Sequence, residues 1–242
     1  MIELKNLVVL GQGAPNSLRD GRISRCVCAY SKEHGLVRLY PIPKALLRQW
    51  DVFDATVEAN SQDHRENTWK IFHSKEDWQR IHKWIIKKGE YPKKERTKLI
   101  ESLAKDNLGD LIKNGKSFGI IEPKITGFEL AKQNETTSIQ TTIFDLDYQI
   151  INQNEFKYKP YVTYECTAEC SCKNPVHRQQ IVEWGCYEWM RKNPNSEEHC
   201  EKVFENLQLT NKDWKKYFLV GNIHKSPKTY IIVGVLRYKN KS

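Results

Sequence analysis

The stretch Cys26-Val27-Cys28-Ala29-Tyr30, followed after a polar turn by Leu36-Val37-Arg38-Leu39-Tyr40, decides the fold of the N-terminal part of the chain. Both segments are short, rich in valine, leucine and tyrosine, and bounded by turn-forming residues, which is typical of β-strands. Further short strands are predicted on either side, at 7–10, 52–57 and 68–72. Many short strands separated by polar turns predict a small barrel or sandwich.

The pattern changes to a helical period after this strand-rich part. Ser74 is placed as an N-cap, with Trp78, Ile81 and Ile85 on one face of a helix, and a second helix is predicted after Pro92. Strand-like segments return from Ser117 onward. We therefore predict an α+β protein with two OB-like barrel parts, at 1–73 and 117–242, and a basic helical insertion at 74–116.

Composition excludes several classes of protein. The chain has 242 residues, of which 39% are hydrophobic and 29% charged, so a disordered or fibrous protein is a poor description. It contains no apolar run of the roughly 20 residues that a membrane helix needs. The segment Met1-Ile2-Glu3-Leu4-Lys5 lacks the pattern of a secretory signal. We expect a cytoplasmic protein without a membrane partner.

The charge balance indicates a polyanionic partner. Lys and Arg number 39 against 30 Asp and Glu, a formal net charge of +9. Trp84 and Tyr91 stand among the basic residues of the insertion, which suits a nucleic acid with phosphates bound and bases stacked. The alternative is a solvated face with core tryptophans. The candidate nucleic-acid contacts, for DNA or RNA, are Trp84, Lys87, Lys88, Tyr91, Lys93, Lys94 and Arg96.

The densest group of metal-ligating residues lies between 166 and 177. Thiolate and imidazole are ligands that zinc prefers, and a Cys3His set closes a tetrahedral structural site. Asn174 and Pro175 predict a helix start that places His177 in the first helical turn. An iron–sulfur cluster is the alternative metal centre, and ordinary reduced cysteines in a turn are the alternative to any metal. The predicted zinc ligands are Cys166, Cys170, Cys172 and His177.

Other cysteines and one polar loop yield weaker candidates. Cys186 falls at helical spacing with apolar neighbours and is assigned to the core, as are Cys26 and Cys28. Asp63-His64-Arg65-Glu66 joins an acid, an imidazole and a guanidinium between two predicted strands, so these four residues are candidate catalytic groups. The alternative is a loop whose charges pair internally. Gly11-Gln12-Gly13 lacks the third glycine of a dinucleotide fingerprint.

Several segments together resemble a poorly characterised bacterial family of tandem OB-like proteins with a Cys/His cluster. The resemblance implies strand-rich barrels and carries no assigned activity. Glu183-Trp184 stands where the family would have Asp-Trp. The segments that carry the resemblance are Val37-Arg38-Leu39-Tyr40-Pro41-Ile42-Pro43, Asp63 with Arg65-Glu66, Gly119-Ile120-Ile121-Glu122-Pro123, the Cys166 to His177 cluster, and Phe218-Leu219-Val220-Gly221-Asn222.

Three functions follow as hypotheses. The first is a nucleic-acid-binding protein with a structural zinc knuckle. The second is a metal-dependent hydrolase or nuclease that acts on nucleic acid or a nucleotide through the Asp63 loop. The third is a small-ligand or protein-interaction module in which the metal only stabilises the fold.

Overall fold

The structure is a computed structural model that describes residues 1–17, 22–43, 46–61, 63–74, 76–132, 149–150, 156, 158–167, 170–193 and 197–240. Strands predominate over helices in these residues, which confirms the strand-rich prediction. No helix within these ranges is long and apolar enough to span a membrane.

Five strands form a closed barrel in the N-terminal part. They are β1 (Ile2–Gln12), β3 (Ile23–Ser31), β4 (Gly35–Pro43), β5 (Asp51–Ala59) and β6 (Thr68–Ile71), with the short β2 (Asn16–Ser17) beside β3. The order around the barrel is β1-β5-β6-β4-β3, and β3 pairs with β1 to close it. The β4–β6 pair is parallel, whereas the other barrel pairs are antiparallel.

Alternation along β3 and β4 separates two environments. Val27 and Ala29 lie opposite Leu39 and Val37, and all four side chains are fully buried inside the barrel. The other face of β3 carries Cys28, which is also buried and packs with residues of the C-terminal part. The prediction that this cysteine is a core thiol is confirmed.

The middle of the chain is less helical than predicted. A 3-10 helix (Trp78–Trp84) leads into strand β7 (Ile85–Glu90), which pairs with β5, and the α-helices α1 (Lys93–Leu103) and α2 (Leu108–Lys113) follow. The prediction of a helix continuing through Ile85 is wrong. Two consecutive β-branched residues, Ile85 and Ile86, favour extended backbone, and the edge of β5 supplies hydrogen-bond partners. The helix predicted after Pro92 is confirmed, with Leu99 and Ile100 buried.

The C-terminal lobe, defined here as the elements from β8 onward, contains two three-stranded sheets in the described residues. One has the order β14-β13-β8 and the other β12-β11-β9. The bounds are β8 (Phe118–Ile121), β9 (Pro123–Lys132), β10 (Gln149–Ile150), β11 (Tyr158–Cys166), β12 (Val176–Gln180), α3 (Trp184–Lys192), α4 (Glu197–Asn206), β13 (Trp214–Ile223) and β14 (Ser226–Lys239). The strand pair predicted at 217–221 and 230–235 is confirmed as β13 and β14.

Close backbone packing joins the barrel to the C-terminal lobe. A Cβ atom added to Gly11 of β1 would lie 3.3 Å from the Cα of Gly234 and 3.1 Å from the carbonyl oxygen of Val233, both on β14. Glycine at position 11 is therefore explained by the approach of the two strands rather than by a nucleotide loop. Arg38 crosses the same junction and donates to the hydroxyl and the carbonyl of Ser117.

Candidate metal centre and neighbouring polar sites

A β-hairpin places the Cys/His cluster. Strand β11 ends at Cys166, the connecting loop carries Cys170 and Cys172, and β12 returns with His177 opposite Tyr164. The antiparallel register brings the ring of His177 back beside the end of β11. This geometry unites residues that are separated in sequence by up to eleven positions.

Three of the four predicted ligands lie within bonding reach of one ion. The ligand atoms of Cys166, Cys170 and His177 all lie within 4.8 Å of one another, and Cys170 Sγ is 3.6 Å from His177 Nε2. A tetrahedral zinc ion with ordinary Zn–S and Zn–N lengths separates its ligand atoms by about 3.5–3.8 Å. The group could therefore hold a metal ion with small adjustments of its side chains.

Backbone amides and neighbouring thiols converge on Cys170. Burial alone would raise its pKa, but the N–H groups of Cys172 and Gly109 donate to Cys170 Sγ and hold its pKa below the ordinary value. Hydrogen bonding with the side chains of Cys172 and Cys166 lowers the pKa of Cys170 further. Such hydrogen bonds stabilise a thiolate, which is the form that binds metal.

Cys172 lies at the edge of the cluster. Its thiol contacts the group through Cys170, whereas Cys166, Cys170 and His177 form the compact triangle. Burial raises the pKa of Cys166 to about 11 and that of Cys172 to about 11. The structure thus brings Cys166, Cys170 and His177 together, and Cys172 adjoins Cys170 outside this triangle.

His177 is prepared to act as a neutral ligand. Its side chain is buried, and burial lowers the pKa of the imidazole. Its ring lies 5.4 Å from that of Tyr164, whose hydroxyl donates to Gln179 at 2.7 Å. The tyrosine therefore forms one wall of the cluster and is itself held by β12.

The prediction of a helix starting at Pro175 is wrong. Residues Val176–Gln180 form β12, and the helix α3 begins later, at Trp184. The side chain of Asn174 accepts a hydrogen bond from the N–H of Val176, which closes a tight turn in place of an N-cap. Pairing with β11 satisfies the backbone of this segment, so the hairpin is favoured over the helix. Cys186 is buried in the core, as predicted.

Gly109 is a supporting residue that sequence reasoning missed. It lies in α2, and a Cβ atom there would be 2.9 Å from the backbone nitrogen of Ser171 and 3.0 Å from that of Cys172. Only glycine lets the cysteine loop pack this closely against α2. The sequence Asn107-Leu108-Gly109 carries no signal for this contact, because its partner lies more than sixty positions away.

We expect Gly109→Ala to loosen the metal site. The added methyl group would push the cysteine loop away from α2 and misalign the N–H donors to Cys170, and lost outer contacts of this kind lower metal affinity by about 10–100-fold. Competition with a chromophoric zinc chelator measures the change. Gly185→Ala is the matched control, since its nearest contact would be 3.6 Å away. Equal affinities of the two variants would contradict the expectation.

The candidate catalytic loop is engaged in an ion pair. Arg65 donates to both carboxylate oxygens of Asp63, at 2.8 and 2.5 Å, and both side chains are buried. Although burial raises the pKa of Asp63, the Arg65 guanidinium lowers it below the ordinary value. Arg65 also donates to the carbonyl of Asn222 on β13 at 2.6 Å. His64 and Glu66 are exposed. The loop therefore connects the barrel to the C-terminal lobe.

The predicted nucleic-acid contacts are distributed over the 3-10 helix, β7 and the start of α1. Trp84 packs on the barrel core, with its ring edge-on to Phe72 at 5.0 Å. Lys93 and Lys94 are exposed. The other basic groups have acidic partners: Lys87 pairs with Asp51 at 2.9 Å, Lys88 with Asp54 at 2.6 Å, and Arg96 with Glu90.

Tyr91 lies in a groove between the barrel and α1 that the sequence did not reveal. The groove has a volume of about 720 Å³, and its walls include Tyr30 together with Lys5, Lys32 and Lys98. Glu33 and Glu95 lie at the same groove. We call this site the tyrosine–lysine groove. Two tyrosines and three lysines meet here because β1, the β3–β4 turn and α1 are adjacent in the fold.

Comparison with known proteins places the chain among families without an assigned activity. No curated protein matches it. Residues 3–102 match the model of Domain of unknown function (DUF8758), and residues 96–242 match that of Domain of unknown function (DUF8757). The second match covers more than half of the chain and includes the whole Cys/His cluster. The protein therefore belongs to the family Domain of unknown function (DUF8757).

Proposed function

We propose that the protein binds single-stranded nucleic acid in the tyrosine–lysine groove and that a zinc ion stabilises its C-terminal lobe. The observation that carries the proposal is the composition of the groove, in which Tyr30 and Tyr91 stand among Lys5, Lys32 and Lys98. Aromatic rings stack on bases of any sequence, and lysines neutralise the phosphates. Both DNA and RNA contain bases that can stack on the tyrosines and phosphates that can pair with the lysines.

The topology of the barrel supports the proposal. Five strands in the order β1-β5-β6-β4-β3, with one parallel pair, are consistent with an OB-like barrel, and in OB folds the second and third strands commonly line the oligonucleotide site. Here Arg38, on the third strand of the barrel, is covered by Ser117 and Asn222 of the C-terminal lobe. Tyr30, near the end of β3, is half-buried and lines the groove.

Zinc is the metal that suits the cluster best. Cys166, Cys170 and His177 supply two sulfurs and one nitrogen, and Cys172 lies beside Cys170 to complete a Cys3His set. Four protein ligands leave no open position, which is the pattern of structural rather than catalytic zinc. The hairpin, the cysteine loop and α2 all meet at this point, so one ion would connect three segments of the lobe.

The test of nucleic-acid binding is a salt series with a charge-reduced groove. We expect Lys32→Gln/Lys98→Gln to bind a fluorescent single-stranded oligonucleotide more weakly. We also expect the slope of log affinity against log salt to fall by about 1.4, since each phosphate contact on a single strand contributes roughly 0.7. Fluorescence anisotropy from low to physiological salt measures both quantities. Both lysines are exposed, so folding is preserved.

The control is a double variant that has the same net charge as Lys32→Gln/Lys98→Gln but leaves the groove intact. Lys113 and Lys228 are exposed and lie outside the groove, so Lys113→Gln/Lys228→Gln should keep the wild-type slope. A wild-type protein that does not bind any oligonucleotide, or equal losses in the two double variants, would overturn the assignment of the groove.

A further inference from the structure

A second cavity, of about 360 Å³, lies where the barrel meets the start of α3. It is separate in residue composition from both the Cys/His cluster and the tyrosine–lysine groove. We call it the junction cavity. Its size falls within the range of small-ligand pockets. Its polar walls include Gln12, Arg25, Arg48, Gln49, Glu183 and Gly185.

Arg25 brings a buried positive charge to this cavity. The residue is 2% exposed, and among the described residues its guanidinium makes one hydrogen bond, from Nη2 to the carbonyl of Leu47. Its Nε is buried without a hydrogen-bond partner there. Burial lowers the pKa of this guanidinium to about 10, because removal from water disfavours the cation. A buried donor without a partner is costly unless a ligand or water satisfies it.

The carboxylate that stabilises the charge of Arg25 also binds other groups. Asp51 is the acid that acts on Arg25, yet its Oδ2 accepts from Lys87 Nζ at 2.9 Å and from the N–H of Arg48 at 2.8 Å. The neutral wall residues do not compensate the charge either. Gln12 donates to the carbonyl of Leu47, as Arg25 does. The positive charge of Arg25 thus has no anion of its own within the described residues.

The start of α3 also lines the junction cavity. Glu183 is the N-cap residue but makes no capping hydrogen bond with its side chain, so the first N–H groups of the helix are not closed by it. Gly185, in the first turn, is exposed at the cavity and has no side chain to cover the backbone. The N-terminus of a helix carries partial positive charge and exposed N–H donors, which suit an anionic oxygen.

Glu183 does not exclude an anion from the junction cavity. Its Oε2 accepts from the N–H of Val235 at 3.0 Å, which turns that oxygen toward β14. Burial raises the pKa of Glu183 to about 7 despite the charge of Arg237, so this carboxyl group carries a proton for much of the time at neutral pH. Arg48, exposed at the entrance, adds a further positive charge.

We propose that the junction cavity binds the phosphate group of a small phosphorylated ligand between Arg25, Arg48 and the N-terminus of α3. The phosphate would pair with the Arg25 guanidinium and accept a hydrogen bond from the backbone N–H of Gly185. The remaining volume would accommodate a group of about nucleoside size beside Trp184. This site is independent of the tyrosine–lysine groove and does not require that the protein bind nucleic acid.

The test is isothermal titration of the full chain with three probes: inorganic phosphate, adenosine monophosphate and adenosine. We expect saturable binding of the two phosphate-containing probes and none of adenosine. Arg25→Met and Arg48→Gln should each weaken binding about tenfold or more, as expected when a charged hydrogen bond is lost. Lys113→Gln, on the exposed end of α2, is the control and should bind as the wild type does.

Each alternative result overturns the proposal. Absence of saturable phosphate binding, or equal binding of adenosine and adenosine monophosphate, would show that no phosphate is recognised. Unchanged affinity in Arg48→Gln would place any binding elsewhere. Because Arg48 is exposed, this variant keeps its fold even if the buried Arg25→Met substitution does not.

Discussion

Replacement of Cys170 by serine is expected to release the metal and to lower the melting temperature by about 10 °C. Cys170 is the sulfur that the other members of the cluster contact. Zinc at a thousand times its dissociation constant stabilises the folded state by about 4 kcal/mol. In a chain of this size each kcal/mol corresponds to roughly 2–4 °C.

Elemental analysis and thermal unfolding of protein purified without oxygen check this expectation. Wild-type protein should contain about one zinc ion per chain, as a single Cys3His site requires. A strong chelator should lower its melting temperature to that of Cys170→Ser. Visible absorption with bound iron would instead identify an iron–sulfur cluster. Wild-type protein without any metal would refute the site.

Two further serine variants separate the ligands from the other thiols. Cys26 lies on β3, where Arg38 donates to its sulfur, and its hydroxyl replacement can accept the same bond, so Cys26→Ser should keep the metal. Cys172→Ser tests the fourth ligand. Loss of metal in this variant supports a closed Cys3His site, whereas full retention would leave Cys166, Cys170 and His177 as a three-residue site with an open position.

The sequence correctly predicted those elements whose structure depends on neighbouring residues in the chain. The strand at Cys26-Val27-Cys28-Ala29-Tyr30 was predicted because the segment is short, rich in β-forming residues and bounded by turn signals, and the structure places Val27 in the barrel and Cys28 against the C-terminal lobe. The Cys/His cluster was predicted because four soft ligands within twelve positions must remain close in space. Neither inference needs knowledge of the distant chain.

The errors arose where a distant segment decides the local structure. Ile85–Glu90 became a strand because β5 offered a free edge, and Val176–Gln180 became a strand because β11 did so. Helical spacing in the sequence could not reveal either partner. The role of Gly109 could not be predicted for the same reason, because it depends on contact with the distant loop at Ser171. Nor could the tyrosine–lysine groove, which unites residues from 5 to 102.

Replacement of Asp63 by alanine is expected to reduce the free energy of unfolding by about 3–5 kcal/mol, the usual consequence of removing one partner from a buried ion pair. The Arg65 side chain, 6% exposed, would lose the two carboxylate oxygens that accept from it. Arg65 also donates to the carbonyl of Asn222 on β13, so the loss of Asp63 would weaken the contact between the lobes.

Urea unfolding of Asp63→Ala and Glu66→Ala at neutral pH measures the difference. Glu66 is exposed, so its variant should remain within about 0.5 kcal/mol of the wild type. If Asp63→Ala were as stable as Glu66→Ala, the ion pair would contribute nothing to the junction. The hydrolase hypothesis would then regain support, because a catalytic carboxylate can be removed without loss of stability.

The pH dependence of stability supplies an independent check on the same residue. Arg65 holds the pKa of the folded Asp63 below that of an unfolded aspartate, which is about 3.9. The contribution of the pair is therefore fully present above that unfolded value and is lost as the pH falls through the lower, folded value. Wild-type protein should lose this contribution on acidification, and Asp63→Ala should not. The difference in the free energy of unfolding between wild type and Asp63→Ala should consequently become smaller toward low pH. A purely steric effect of the substitution would leave this difference constant.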